Sequence, residues 1–127
     1  MTQAQRRLCL IQSLLKENPE YRDLGIPVEP ERQRQLLRGL MNLRAPQRAE
    51  ADFLQMQDAY LQGENAAKGI TDAADLAPVQ PGLYLWQGDI TTLQFDAIVN
   101  AANSGMTGCI HADIGQVLQS LSDAASE

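Results

Sequence analysis

Residues 86–109 constrain the fold most, because two short apolar runs in or beside this stretch are each followed by polar residues. The runs lie within residues 83–87 and 97–100, and they end in Gly88-Asp89 and in Asn100-Ala101-Ala102-Asn103. Continuous apolar residues without alternation are typical of strands buried in a parallel sheet, so both runs are predicted strands. Open α/β folds bind ligands at the carboxyl ends of such strands, and the stretch therefore predicts a ligand site.

Three amphipathic helices are predicted before this stretch. Apolar residues recur at helical spacing over residues 5–17, and Asn18-Pro19 ends that helix. A second helix is predicted from Pro30 to residues 44–46. Its apolar face consists of Leu36, Leu37, Leu40 and Met41. A third helix is predicted over residues 49–62, with Gly63 as its stop, and a later one over residues 111–121.

The predicted elements divide the chain into three parts. Residues 1–63 form a helical subdomain in which three apolar stripes are buried together, and residues 64–82 form a connector rich in small residues, Gly and Pro. Residues 83–127 form the part with strands, so the predicted class is α/β. The sheet is predicted to be parallel or mixed, with helices packed on it.

Charge and cysteine content limit the classes of function. The chain of 127 residues has a net charge of -6, and of its ten basic residues only Lys68 lies after Gly63, together with eight acids. No basic stripe is left there to follow a phosphate backbone, so nucleic acid is not an expected partner. Two distant cysteines indicate a reducing compartment, and the sequence has no membrane-spanning run of about 20 apolar residues. A cytoplasmic protein without a membrane partner is expected.

Asp89 and the two asparagines are the candidate binding residues, and each has a structural alternative. Asp89 could accept hydrogen bonds from an exocyclic amine of a ligand, or it could simply cap the turn that follows it. Asn100 and Asn103 offer uncharged donors and acceptors around two small alanines. Their alternative role is to adopt left-handed turn conformations.

The segments Leu83-Tyr84-Leu85-Trp86-Gln87-Gly88-Asp89-Ile90-Thr91 and Asp96-Ala97-Ile98-Val99-Asn100-Ala101-Ala102-Asn103-Ser104 resemble the opening of a macrodomain, a module that binds ADP-ribose. The N-terminal helices resemble the extension found in zinc-dependent microbial macrodomains that act as protein-ADP-ribose hydrolases. The resemblance implies that Asp89 holds the adenine amine, with a backbone contact from Ile90 nearby. It also implies that Asn100 and Asn103 face the distal ribose, with Asn103 at the catalytic position.

The same resemblance implies that Cys109 is the first zinc ligand, but the sequence then departs from the family. Ile110-His111 follows Cys109 at once, where the family has a loop bearing a histidine and a second cysteine. A catalytic zinc needs three protein ligands and an open position for water, so the metal site is expected to be incomplete and zinc not to be retained. A carboxylate such as Asp113 is the remaining candidate for a further ligand.

The sequence therefore predicts a truncated macrodomain of the hydrolase type whose partner is ADP-ribose or an ADP-ribosylated protein. Its full-length relatives remove ADP-ribose from modified proteins, whereas this chain is expected to lack the activity. The alternative is a non-catalytic interaction protein in which the helices bind a partner and the macrodomain part is vestigial. An incomplete sheet exposes edges and apolar faces, so the helices are predicted to be the best-ordered part.

Overall fold

The computed structural model describes residues 1–99, 101–102 and 104–105. It contains α1 (Gln3–Glu17), α2 (Pro30–Leu43) and α3 (Ala51–Lys68), followed by β1 (Thr71–Asp72) and β2 (Leu93–Gln94). Short 3-10 turns lie at Pro19–Tyr21, Ala73–Asp75 and Ile90–Thr92. The predicted α/β class is confirmed, since the described residues form helices and a small parallel sheet. The division into residues 1–63, 64–82 and 83–127 stays a prediction, as does the helix over 111–121, which lies outside the described residues.

The ends of α1 and α2 follow from local chemistry. Thr2 caps α1, because its Oγ1 accepts from the Gln5 N–H while the Gln5 side chain accepts from the Thr2 N–H. Asn18 ends this helix as predicted, and its side chain then accepts from the Glu20 N–H. Pro30 opens α2, where the missing N–H of proline removes no helical hydrogen bond. The second predicted helix is thus confirmed to within a residue or so.

The hydrophobic core lies between the three helices. α1 packs against both α2 and α3, and among the described residues eight apolar ones are buried, all of them in these helices. They are Leu10, Ile11, Leu14, Leu15, Leu36, Leu37, Leu40 and Tyr60. The predicted faces of α1 and α2 therefore meet Tyr60 of α3 in one core, with Met41 at its margin. Leu54 and Leu61, which the third predicted stripe includes, are instead exposed.

α3 extends beyond its predicted end. Gly63 does not stop the helix, which continues to Lys68 and ends at Gly69 with a φ of 95°. Gly63 instead permits close packing, because a Cβ at this position would collide with the side chain of Gln3. The Gln3 amide donates to the Tyr60 carbonyl oxygen at 3.0 Å, and this contact joins the start of α1 to α3.

The sheet differs from the predicted one in the residues that build it. β1 and β2 pair in parallel, with Thr71 opposite Leu93 and Asp72 opposite Gln94. Residues 83–87 form no strand apart from a single bridge between Leu83 and Gln80, and residues 97–99 form none and are exposed. Both strand predictions are wrong for these residues. A buried parallel strand needs paired neighbours and covered faces, and no other described strand lies beside either run.

An ion pair fastens the end of α1 to the end of α2. Arg44 Nε and one terminal nitrogen donate to the two Glu17 carboxylate oxygens at 2.8 and 2.9 Å. The guanidinium also lies 5.6 Å from the centre of the Phe53 ring on α3. A bidentate pair of this kind is stronger and more specific than a single contact between surface charges.

The Glu17 pair predicts a pH-dependent contribution to stability. The hydrogen bond from Arg44 lowers the pKa of Glu17 below its ordinary value of 4.5, against the raising effect of desolvation. Because the folded pKa is the lower one, the pair stabilises the fold above the unfolded pKa and ceases to do so as the pH falls through the folded value. Glu17→Gln should therefore lower the melting temperature at pH 7, by an amount that corresponds to a loss of about 0.5–1 kcal/mol in the free energy of unfolding. The difference in melting temperature between the native chain and the variant should become smaller towards pH 3.

The control for this measurement is Glu20→Gln, which removes an exposed carboxylate three residues along the chain. Its melting temperature should follow that of the native chain over the same pH range. A difference for Glu17→Gln that stays constant with pH would contradict a role for the Glu17 charge.

In the described part of the chain, no helix combines the length and apolar character needed to cross a membrane.

Candidate functional site

Asp89 begins the 3-10 turn at Ile90–Thr92 and organises it through its side chain. Its Oδ1 accepts from the Thr91 N–H at 3.0 Å and from the Thr91 hydroxyl at 2.7 Å. Its backbone carbonyl accepts from the N–H and the hydroxyl of Thr92, at 2.9 and 2.7 Å. The structural alternative for Asp89, a cap on the following turn, is therefore confirmed. A capping oxygen leaves the other carboxylate oxygen for further contacts.

The second oxygen of Asp89 faces the end of α3. Asp89 Oδ2 lies 3.3 Å from the Lys68 ammonium, and 48% of the Asp89 side chain remains exposed. The hydrogen bonds from Thr91 chiefly, and then the one from Lys68, lower the pKa of Asp89. Asp89 is thus an ionised group that only accepts hydrogen bonds at neutral pH, and it has room for another donor.

Ile90 places a backbone donor next to this carboxylate. It is the first residue of the turn, where N–H groups have no partner within the turn itself. Within the described residues its N–H makes no hydrogen bond, and its side chain is half exposed. The carboxylate acceptor of Asp89 and the amide donor of Ile90 therefore belong to the same turn.

Gly88 allows the chain to turn closely against an aromatic ring just before Asp89. A Cβ at position 88 would collide with the six-membered ring of the Trp86 indole. Trp86 is partly buried, although the strand predicted over residues 83–87 does not form. The indole therefore covers the backbone that leads into the turn, and any larger residue at position 88 would displace it.

Two residues of α3 hold the turn and were not predicted as part of the site. Lys68 pairs with Asp89, and the Asn65 amide donates to the Thr91 carbonyl oxygen at 3.1 Å. The sequence carries one signal for this, since Lys68 is its only basic residue after Gly63. Its partner could not be deduced, because 21 residues separate the two charges.

The remaining predicted site residues, Asn100, Asn103 and Cys109, lie outside the described residues. Asp89 and Ile90 are consecutive residues of one described turn, and the relation of these two to the asparagines stays a prediction. Within residues 1–99, 101–102 and 104–105, no three His, Cys, Asp or Glu side chains are grouped as metal ligands. Zinc ligation through Cys109, and its incompleteness, stay predictions.

The described fold and the turn at Asp89 define a mixed α/β protein with a candidate ligand site next to a small parallel sheet. Comparison with known proteins finds relatives named protein-ADP-ribose hydrolase. The chain is 55% identical over 113 residues to a protein-ADP-ribose hydrolase of Treponema medium, an alignment that covers 86% of this chain and 43% of that protein. No family model matches the chain.

Two further relatives are similar to parts of the chain. The protein-ADP-ribose hydrolase of Staphylococcus aureus strain MRSA252 is 41% identical over 105 residues, which are 82% of this chain and 39% of that protein. The mouse ADP-ribose glycohydrolase MACROD1 is 55% identical over 42 residues, 28% of this chain and 13% of that protein. The chain thus spans about two fifths of the length of the two bacterial relatives.

Proposed function

We propose that this chain carries the adenine-binding part of a macrodomain of the protein-ADP-ribose hydrolase type. The observation that carries the proposal is the pair formed by the ionised, half-exposed Asp89 carboxylate and the adjacent Ile90 N–H. Adenine presents an amino group beside a ring nitrogen, which is a donor next to an acceptor. The carboxylate would accept from the amino group, and the amide would donate to the ring nitrogen.

The names of the relatives supply the rest of the ligand. Both bacterial relatives are protein-ADP-ribose hydrolases and the mouse relative is an ADP-ribose glycohydrolase, so an adenine bound here would belong to ADP-ribose or to an ADP-ribosylated protein. Asn100 and Asn103 are assigned to the distal ribose, with Asn103 as the catalytic position. Hydrolysis itself is not proposed for this chain, because Ile110-His111 follows Cys109 at once, where the family it resembles has a loop bearing a histidine and a second cysteine.

Calorimetric titration of the chain with ADP-ribose tests the proposal. Asp89→Asn keeps a side chain that can cap the turn but removes the charge that accepts from the amine. Losing the charged acceptor of this hydrogen bond should weaken binding roughly tenfold or more. The matched control is Asp96→Asn, which removes an exposed carboxylate seven residues away and should bind as the native chain does.

Two results would contradict adenine recognition by Asp89. One is an absence of heat from native chain whose circular dichroism shows that the helices are folded. The other is equal affinity in Asp89→Asn and Asp96→Asn.

A further inference from the structure

We propose that Lys68 and Asn65, two residues of α3, are positioning residues that hold the Asp89 turn in the conformation that recognises adenine. The inference rests on the proposed function and deepens it, because it makes nucleotide recognition dependent on a helix outside the segment that contacts the nucleotide. The two residues act on different parts of the turn. Lys68 contacts the Asp89 carboxylate, and Asn65 contacts the Thr91 carbonyl oxygen.

The Lys68 contact sets the direction of the carboxylate. Oδ1 of Asp89 accepts from two donors of Thr91, and a partner of Oδ2 adds a second restraint on rotation of the carboxylate. Lys68 Nζ supplies that partner at 3.3 Å, and both side chains remain about half exposed, at 56% and 48%. An exposed oxygen with one donor keeps a lone pair for an amine from the ligand.

The Asn65 contact fixes the turn itself. Thr91 is the middle residue of the 3-10 turn, and the Asn65 amide donates to its carbonyl oxygen at 3.1 Å. Asn65 and Lys68 are three residues apart on α3, so they lie on the same face of this helix. α3 therefore contacts the turn at Asp89 and at Thr91, the two residues on either side of Ile90, and these contacts restrict the motion of the Ile90 N–H.

The position of Lys68 is set by the end of the helix. Lys68 is the last residue of α3, and Gly69, with its positive φ of 95°, turns the chain away immediately afterwards. β1 then pairs with β2, which follows the Asp89 turn directly. The end of α3 and the Asp89 turn are thus connected twice. The side chains of Asn65 and Lys68 contact the turn, and the strand after α3 pairs with the strand after the turn.

The test compares Lys68→Met, which keeps the length of the side chain and removes its charge, with Lys68→Arg, which restores a donor. Binding of adenosine and of ADP-ribose is followed by NMR titration of the amides of the turn. A positioning role predicts that Lys68→Met weakens both ligands by a similar factor of about three to ten, and that Lys68→Arg restores most of the loss. Asn65→Ala should weaken both ligands as well, and the control Lys16→Met should weaken neither.

Adenosine is neutral and ADP-ribose is an anion, so the pair of ligands separates positioning from attraction of charge. Loss of affinity for ADP-ribose alone would overturn the proposal and make Lys68 a simple attractive charge. Unchanged or tighter binding of both ligands in Lys68→Met would overturn it too. In either case the adenine-binding role of Asp89 would stand if Asp89→Asn still weakens binding.

A measurement on the free chain keeps the inference testable if neither ligand binds. The carboxyl carbon of Asp89 is titrated by NMR in the native chain and in the variants. Removal of the ammonium should raise the pKa of Asp89 in Lys68→Met and leave it in place in Lys16→Met, while the shift should shrink at high salt. A titration of Asp89 that Lys68→Met does not move would overturn the inference whether or not the nucleotide binds.

Discussion

Leu37→Ala is expected to lower the free energy of unfolding by about 2–5 kcal/mol, which is a large part of the stability of a small domain. Leu37 lies in α2 with 2% of its surface exposed, in the core formed by the three helices. Truncation would remove buried methyl groups and leave a cavity, because close-packed helices relax only in part. Urea denaturation followed by helical circular dichroism at 222 nm provides the measurement.

Leu85→Ala is the matched control for this substitution. The same side chain is removed, but Leu85 is 83% exposed, so the change should stay within about 0.5 kcal/mol. Equal losses at the two positions would show that residues 83–99 belong to the cooperative core in solution. A small loss at Leu37 would contradict the packing of α2 against α1.

The contrast between these leucines explains how far the sequence determines the fold. The helices are predictable because the residues that bury each face, such as Leu36, Leu37 and Leu40, recur within a few turns of the same segment. Asn18 and Pro30 mark helix ends through their own backbone chemistry, without any distant partner. Helical spacing and helix-end residues are local features, so they can be recognised from the sequence alone.

Burial of a strand depends on neighbours, and this is where prediction from the sequence is wrong. Ile98 and Val99 have the apolar character of a buried strand, yet they are exposed because no described strand or helix covers them. Gly63 fails as a helix stop for the same reason, since its role depends on Gln3, far away in the chain. Of the candidate site, the sequence predicts Asp89 and Ile90 but not the residues of α3 that hold them.

A buried polar contact between α1 and α2 predicts the second large effect. Arg7 is 4% exposed, and its Nε donates to Gln33 Oε1 at 3.0 Å. Gln33 in turn donates to the Pro27 carbonyl oxygen at 2.7 Å. Tyr60 lies beside this pair. Burial chiefly, and then the charge of Glu64, raise the pKa of Tyr60, whereas a hydrogen bond from Arg7 lowers it. Three helices therefore meet at one charged side chain inside the core.

Gln33→Leu should lower the free energy of unfolding by about 3 kcal/mol, because it removes a hydrogen-bond acceptor from a buried cation and leaves the Pro27 carbonyl without its donor. The control is Gln35→Leu, the same change at an exposed position of α2, which should be nearly neutral. Both variants are measured by urea denaturation under the conditions used for Leu37→Ala.

The double variant Arg7→Met/Gln33→Leu decides why Gln33→Leu lowers the free energy of unfolding. The cause is either the buried Arg7 charge left without its acceptor or the loss of packing. If the uncompensated guanidinium is the cause, replacing it by an apolar chain of similar length should recover part of the loss, with a coupling energy of about 1–3 kcal/mol between the two sites. Additive losses would mean that Arg7 and Gln33 contribute independently, each through its own packing. Since an apolar pair of similar volume is often as stable as a buried polar one, recovery would also indicate that this contact fixes how α1 and α2 are aligned more than how strongly they associate.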